Sequence, residues 1–186
     1  ATGRSELIGA QNSYHGSTQG ALSLLGSEHQ KKGYGPLLPQ TRFIRFNAEK
    51  DLQQINTNTA AVLLETIQGG AGFILPNSDY LKKVKQRCEK VGALLILDEI
   101  QPGVGRTGRF FGFEHYNVQP DIVVMGKGMG GGLPVGACTA SNELMQQLAI
   151  NPKLGHITTF GGNPLIAAAC LATLRELRDS NLIRQI

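Results

Sequence analysis

The sequence predicts an α/β protein with a central, mostly parallel sheet flanked by helices. Two observations carry this expectation. Apolar, β-branched runs recur along the chain as "ELIGAQ" at 6–11, "AAVLLE" at 60–65, "ALLILDE" at 93–99 and "DIVVMG" at 121–126, and the stretches between them are helix-like, the alternation of an α/β fold. Runs as continuous as "ALLIL" are also what strands look like when crossover helices cover both faces.

Taken in order, 6–11 is the first strand, and "TRFIRF" at 41–46 alternates in the manner of a short one. The third is 60–65. After it, Leu81, Val84, Cys88 and Val91 recur at helical spacing in a segment otherwise rich in Lys, Arg, Gln and Glu, which predicts an amphipathic helix. Pro76, Asn77, Ser78 and Asp79 supply its start and Gly92 its stop. Strands at 93–99 and 121–126 follow, with "VGACTAS" at 135–141 as one more. The long helix "NPLIAAACLATLRELRD" at 163–179 has Asn163 as cap and Pro164 in its first turn. Glycine is abundant, with 24 residues mostly at turn positions, and no repeat, low-complexity tract or linker interrupts the pattern.

Composition narrows the class. At 186 residues and 41% hydrophobic content the chain is long enough for one sizeable core. A net charge of +4 without a basic stripe argues against nucleic acid as a partner. The apolar runs are too short to span a bilayer. Cys88, Cys138 and Cys170 are odd in number and widely spaced, so they are expected as buried thiols in a reducing compartment, and no metal-ligand spacing occurs. A soluble, cytoplasmic protein is the expectation. The chain begins without methionine and ends on "NLIRQI", which reads as part of a longer polypeptide.

Ligands of parallel sheets sit beyond the carboxyl ends of strands. Glu65, Asp98, Glu99 and Lys127 each follow an apolar run directly and so are candidates to line one site. Lys127 lies in "GKGMGGG", where a flexible amine among small residues is either a solvated turn lysine or a nucleophile that attacks a carbonyl. A phosphate-binding P-loop is excluded because the lysine precedes its glycines. Asp98 ends the most apolar strand, where a carboxylate needs a cation or a donor. A salt bridge or helix cap would serve, and so would a protonated heterocyclic nitrogen. Strand-end lysine and carboxylate together are the arrangement that pyridoxal phosphate requires, the one for the aldehyde and the other for the ring nitrogen.

The segment "LLILDEIQPGVGRTGRFFGFEHYNVQPDIVVMGKGMGGGLPVGA" resembles the signature of class III pyridoxal-phosphate aminotransferases, and within them the acetylornithine and ornithine branch. Asp-Glu-Ile-Gln, Gly-Arg-Thr-Gly and the Pro-Asp strand leading to the lysine occur in the family's order. "SYHGST" at 13–18, "LLETIQGGAGF" at 63–73 and "TTFGGNPLIAAA" at 158–169 also look like family blocks. The resemblance implies the large domain of a fold-type I enzyme across residues 1–186, without the upstream phosphate loop and the small C-terminal domain. It implies a Lys127 aldimine, Asp98 at the pyridine nitrogen, Gln101 at the phenolic oxygen and Tyr14 stacked on the ring. His15 follows Tyr14 in the pattern, with a structural role beside a turn glycine standing next to a cofactor role. Glu65 is implied near the cofactor, and Thr159 is implied to reach the cofactor phosphate of the partner in a homodimer.

The implied reaction moves an amino group from an ornithine-type donor, N-acetylornithine foremost, to 2-oxoglutarate, as in arginine biosynthesis. Ornithine, succinylornithine and 4-aminobutyrate aminotransferases are the alternatives, as is a fragment without activity. Two departures bear on the donor: Thr66 replaces a proline of the family block, and Gly70 stands where several ω-aminotransferases carry a glutamate that pairs with a substrate-binding arginine. A nicotinamide-nucleotide domain is disfavoured, since no Gly-x-Gly-x-x-Gly follows a strand.

Overall fold

The computed structural model describes residues 1–150, 153 and 155–186. Its elements follow the chain as β1 (Glu6–Ala10), α1 (Gln19–Ser23), α2 (Glu28–Lys31), β2 (Thr41–Ile44), β3 (Thr59–Glu65), α3 (Tyr80–Val91), β4 (Leu94–Asp98), β5 (Ile122–Gly126), β6 (Gly136–Ala140), α4 (Asn142–Ile150) and α5 (Pro164–Asp179). Six strands form a mostly parallel sheet flanked by helices, in agreement with the expected α/β class. The chain divides into two compact units. One comprises Thr2–Asp98 with Phe113–Pro120, and the other Ala1, Glu99–Gly112 and Asp121–Ile186.

In the first unit the strand order is β2-β1-β3-β4, and each neighbouring pair is parallel. Val62 and Leu64 of β3 lie in register with Leu95 and Leu97 of β4, and all four are fully buried. Helix α3 packs on both strands and buries Leu81, Val84 and Cys88 completely, the stripe read from the sequence. Gly92 ends the helix in the left-handed region at φ 71°, while Ala93 N–H returns to the Cys88 carbonyl at 2.9 Å. Leu63, Leu94 and Ile96, which alternate with the buried set, are only half-buried. The expectation of strands sealed on both faces therefore holds for β3 apart from Leu63, whereas in β4 the face of Leu94 and Ile96 is only half covered.

In the second unit β5 and β6 pair antiparallel, with Gly126 opposite Gly136. A single 3-10 turn, Lys127–Gly130, follows β5, and α5 packs against it. Gly131 explains part of the glycine run. Its φ is 57°, and a Cβ there would stand 2.4 Å from Thr173 Oγ1 of α5, so only glycine permits the approach. Asn163 caps α5 as expected, its Oδ1 accepting from Leu165 N at 3.0 Å and Ile166 N at 3.3 Å. The cysteine expectation needs correction. Cys88 is buried, but Cys138 is exposed and Cys170 intermediate, because β6 presents Cys138 on an open strand face.

Candidate active site

Four of the candidate residues belong to the parallel-strand unit and converge at the carboxyl ends of its strands. Glu65 and Asp98 are the last residues of β3 and β4 and are register partners, so parallel pairing sets two carboxylates side by side. Asp98 Oδ2 lies 2.8 Å from Nδ1 of His15, and the His15 side chain is only 2% exposed. A buried carboxylate is costly without a donor, and the imidazole supplies one. Nε2 of the same ring is buried without a partner among the described residues.

Glu65 takes a different route to satisfaction. Its Oε2 accepts from the Tyr14 backbone N–H at 3.1 Å, and its Oε1 from Gly69 N–H at 3.0 Å. Burial pushes the carboxyl above the usual carboxylate range, and the two amides and nearby His15 oppose that shift without cancelling it. Tyr14 itself is 49% exposed, so about half of the residue stands at the surface. The segment before it is tied down: Asn12 N–H donates to Gly26 O at 3.1 Å, Gly26 N–H to Ser13 O at 3.0 Å, and the Ser13 hydroxyl to Leu24 O at 3.2 Å. Gly26 is required here, since a Cβ would fall 2.2 Å from the Ala10 carbonyl oxygen.

The second unit carries Lys127 and Gln101. Lys127 follows β5 directly and is exposed. Its φ of 42° lies in the left-handed region, a conformation that costs a non-glycine residue on the order of 1–3 kcal/mol and gathers at functional sites. Nζ stands 3.5 Å from Oε1 of Gln101, the amine donating. The loop bearing Gln101 is anchored by Glu99, which is fully buried. Its Oε2 accepts from Gly112 N–H at 2.7 Å, its carbonyl from Gly103 N–H at 2.9 Å, and its own N–H donates to Val124 O at 2.8 Å. Thr159 sits in an exposed turn before α5, next to a strongly exposed Phe160.

The pairing of His15 with Asp98 gives the histidine a definite partner where the sequence left two readings open. Ser13, Gly26, Gln68 and the anchoring role of Glu99 escaped sequence reasoning. For Gln68 a signal was present, a polar side chain just past a buried strand. Its Nε2 donates to the Gln11 carbonyl at 2.9 Å from a fully buried position.

Comparison with known proteins places these residues in context. The family model for class-III aminotransferases matches residues 1–186. A putrescine aminotransferase from Pectobacterium atrosepticum is 45% identical over 191 residues, which cover 98% of this chain and 41% of that protein. The ornithine aminotransferase from Toxoplasma gondii ME49 has a similar structure at a TM-score of 0.91 and 33% identity, covering 98% of this chain and 44% of that one. An S-selective transaminase from Arthrobacter sp. gives a TM-score of 0.85 at 26% identity, covering 99% of this chain and 46% of that one. The chain thus spans less than half the length of the proteins it resembles.

Proposed function

The chain belongs to the class-III aminotransferases, and from that premise we propose that the protein is a pyridoxal-phosphate-dependent transaminase moving an amino group from a terminal aliphatic amine to 2-oxoglutarate. The observation that carries the proposal is Asp98 at the end of β4 with His15 Nδ1 at 2.8 Å. Such a carboxylate, held in one orientation by a buried imidazole, suits a cationic ring nitrogen. Tyr14, about half exposed beside it in sequence from His15, offers a flat apolar face to a heterocycle. In the second unit the amine of Lys127 and the amide of Gln101 lie 3.5 Å apart, and each is a group that pyridoxal phosphate requires. Bound there, the cofactor supplies an aldehyde to join an amine and a pyridinium ring to accept an electron pair.

The protein residues do the rest. Lys127 would hold the cofactor's aldehyde, and its amine, when free, is the base that would take the proton from the substrate carbon. Asp98 keeps the proton on the ring nitrogen, and His15 keeps Asp98 oriented. Gln101 would hold the ring through its side-chain amide. Thr159, exposed before α5, reaches the cofactor phosphate of a second copy in a homodimer. We place the protein in the cytoplasm, on the odd number and wide spacing of its three cysteines. Among the described residues no helix is long and apolar enough to cross a membrane, and no cluster of His, Cys, Asp or Glu suits a metal.

An ornithine-type donor with N-acetylornithine first is the reading of the motifs. Putrescine is a second reading, favoured by the 45% identity to a putrescine aminotransferase. Each of these molecules ends in a primary amine on a short aliphatic chain, which is the shared requirement. Gly70 bears on the choice: it is exposed, and a Cβ there would make only an ordinary 3.5 Å contact with Tyr14 Cβ, so the space beside the tyrosine is open. The test is incubation of the full-length protein with pyridoxal phosphate, borohydride reduction and peptide mapping. Cofactor fixed on Lys127 is the expected result, and label scattered over surface lysines would overturn the proposal. Rates of the first half-reaction with N-acetylornithine, ornithine and putrescine then rank the donors.

A further inference from the structure

Three consecutive residues after β1 are each held by a different element. Ser13 is bonded to Gly26 and Leu24, Tyr14 N–H donates to Glu65 of β3, and His15 Nδ1 meets Asp98 of β4. Because Glu65 and Asp98 are register partners, the spacing of two neighbouring strand ends matches the spacing of two neighbouring loop residues. The loops after β1 and β3 are stitched twice over: Glu65 spans Tyr14 N–H and Gly69 N–H, and Gln68 Nε2 reaches Gln11 O.

Both oxygens of Glu65 are thus engaged by backbone amides, at 3.1 and 3.0 Å. Tyr14 is 49% exposed, and a side chain so little packed takes its direction from the backbone that carries it. A neutral amide in place of the carboxylate offers one acceptor where the loop presents two donors, leaving one buried N–H facing an NH₂ group.

We infer that Glu65 is a positioning residue: it fixes the Tyr14 backbone so that the ring lies flat against the cofactor, and it does not touch the cofactor itself. This rests on the pyridoxal-phosphate reading above and revises the place near the cofactor that the family pattern implies for Glu65. Its action runs through Tyr14, so the two residues must behave as one unit toward the cofactor.

The experiment has two arms, both on the full-length protein. Hydrogen exchange in the cofactor-free, unmutated form should show the Tyr14 and Gly69 amides protected. Exchange there at the rate of an open loop would overturn the inference without any variant, and so covers the case in which a variant fails to fold. The second arm measures the rate of pyridoxal phosphate release for Glu65→Gln, Tyr14→Ala and the double variant. Each single change should speed release roughly tenfold, the scale of one lost ring stack, and the double variant should release no faster than Tyr14→Ala. Multiplying effects, or a Glu65→Gln protein that releases as slowly as the unmutated one, would overturn it. Failure of the unmutated protein to take up the cofactor overturns the cofactor reading and this role together, whereas uptake with multiplying effects overturns this role alone.

Discussion

In the parallel-strand unit, carboxylates at strand ends are buried and matched: Asp98 against His15 at 2.8 Å, Glu65 against two backbone amides. In the hairpin unit the key polar group is an exposed amine, Lys127, with a long contact to Gln101 at 3.5 Å. The contrast follows from the local folds. Parallel strands packed under α3 hold their ends rigidly, and a group placed there keeps one orientation. A 3-10 turn among glycines leaves the side chain that follows β5 room to swing. The proposed chemistry needs both kinds of group, since Asp98 must keep one orientation throughout while Lys127 must bind, release and carry a proton.

The sharpest way to break this contrast is at its mobile end. Lys127→Ala removes both the attachment point and the base, and we expect kcat to fall by at least about a thousandfold, within the range of lost general-base catalysis. A cofactor-loaded variant that retains turnover within tenfold would remove Lys127 from the mechanism. At the rigid end, Asp98→Asn keeps shape and a hydrogen bond to His15 but loses the charge. We expect kcat to drop roughly a hundredfold, the scale of one lost electrostatic stabiliser, while the thermal midpoint moves only by the few degrees that about 1 kcal/mol represents. A large stability loss with unchanged kcat would make Asp98 a structural residue.

The two units also differ in how readily the sequence disclosed them. The apolar runs located β3, β4 and β5 to within a residue or two, and the period of Leu81, Val84, Cys88 and Val91 located α3, because in each the pattern is the packing. The direction of β6 was not read, although residues 127–135 are too few for a parallel crossover of a dozen or more. Helix α4 was missed although Leu144, Met145 and Leu148 recur at helical spacing, because a stripe of two turns is too short for its period to stand out. The candidate site was legible where motifs are contiguous, as at Asp98, Gln101 and Lys127. The partner of His15 was not, since 83 positions separate it from Asp98 and only the strand register brings them together. Burial of Cys138 was misjudged from apolar neighbours in sequence that its strand turns the other way.

A smaller effect sharpens the comparison on the hairpin side. The Asn163 side chain caps α5 with two acceptor contacts, and α5 packs on the turn bearing Lys127. Asn163→Ala should cost about 1 kcal/mol of stability in urea unfolding, with slower turnover only if the position of that turn depends on the helix start. Activity unchanged within twofold beside a clear loss of stability would show that the turn is held by its own glycines.

The smallest effect belongs to the parallel-strand unit, away from the strand ends. Asp51 Oδ2 accepts from the backbone N–H and Nε of Arg45 at 2.9 Å each, and Oδ1 accepts from Arg45 Nη2 at 2.7 Å. Those bonds favour the ionised carboxyl and lower its pKa from 3.8 to about 2. A depressed acid contributes stability that is complete above its unfolded value and is lost as pH falls through its folded one. Unfolding followed between pH 5 and pH 2 should therefore show stability declining mainly below about pH 4, and Asp51→Asn should flatten that decline while leaving stability at pH 7 modestly lower. Because Arg45 is largely in solvent, added salt should shrink the difference between the two proteins. An equal decline in both would mean that the acid sensitivity arises elsewhere.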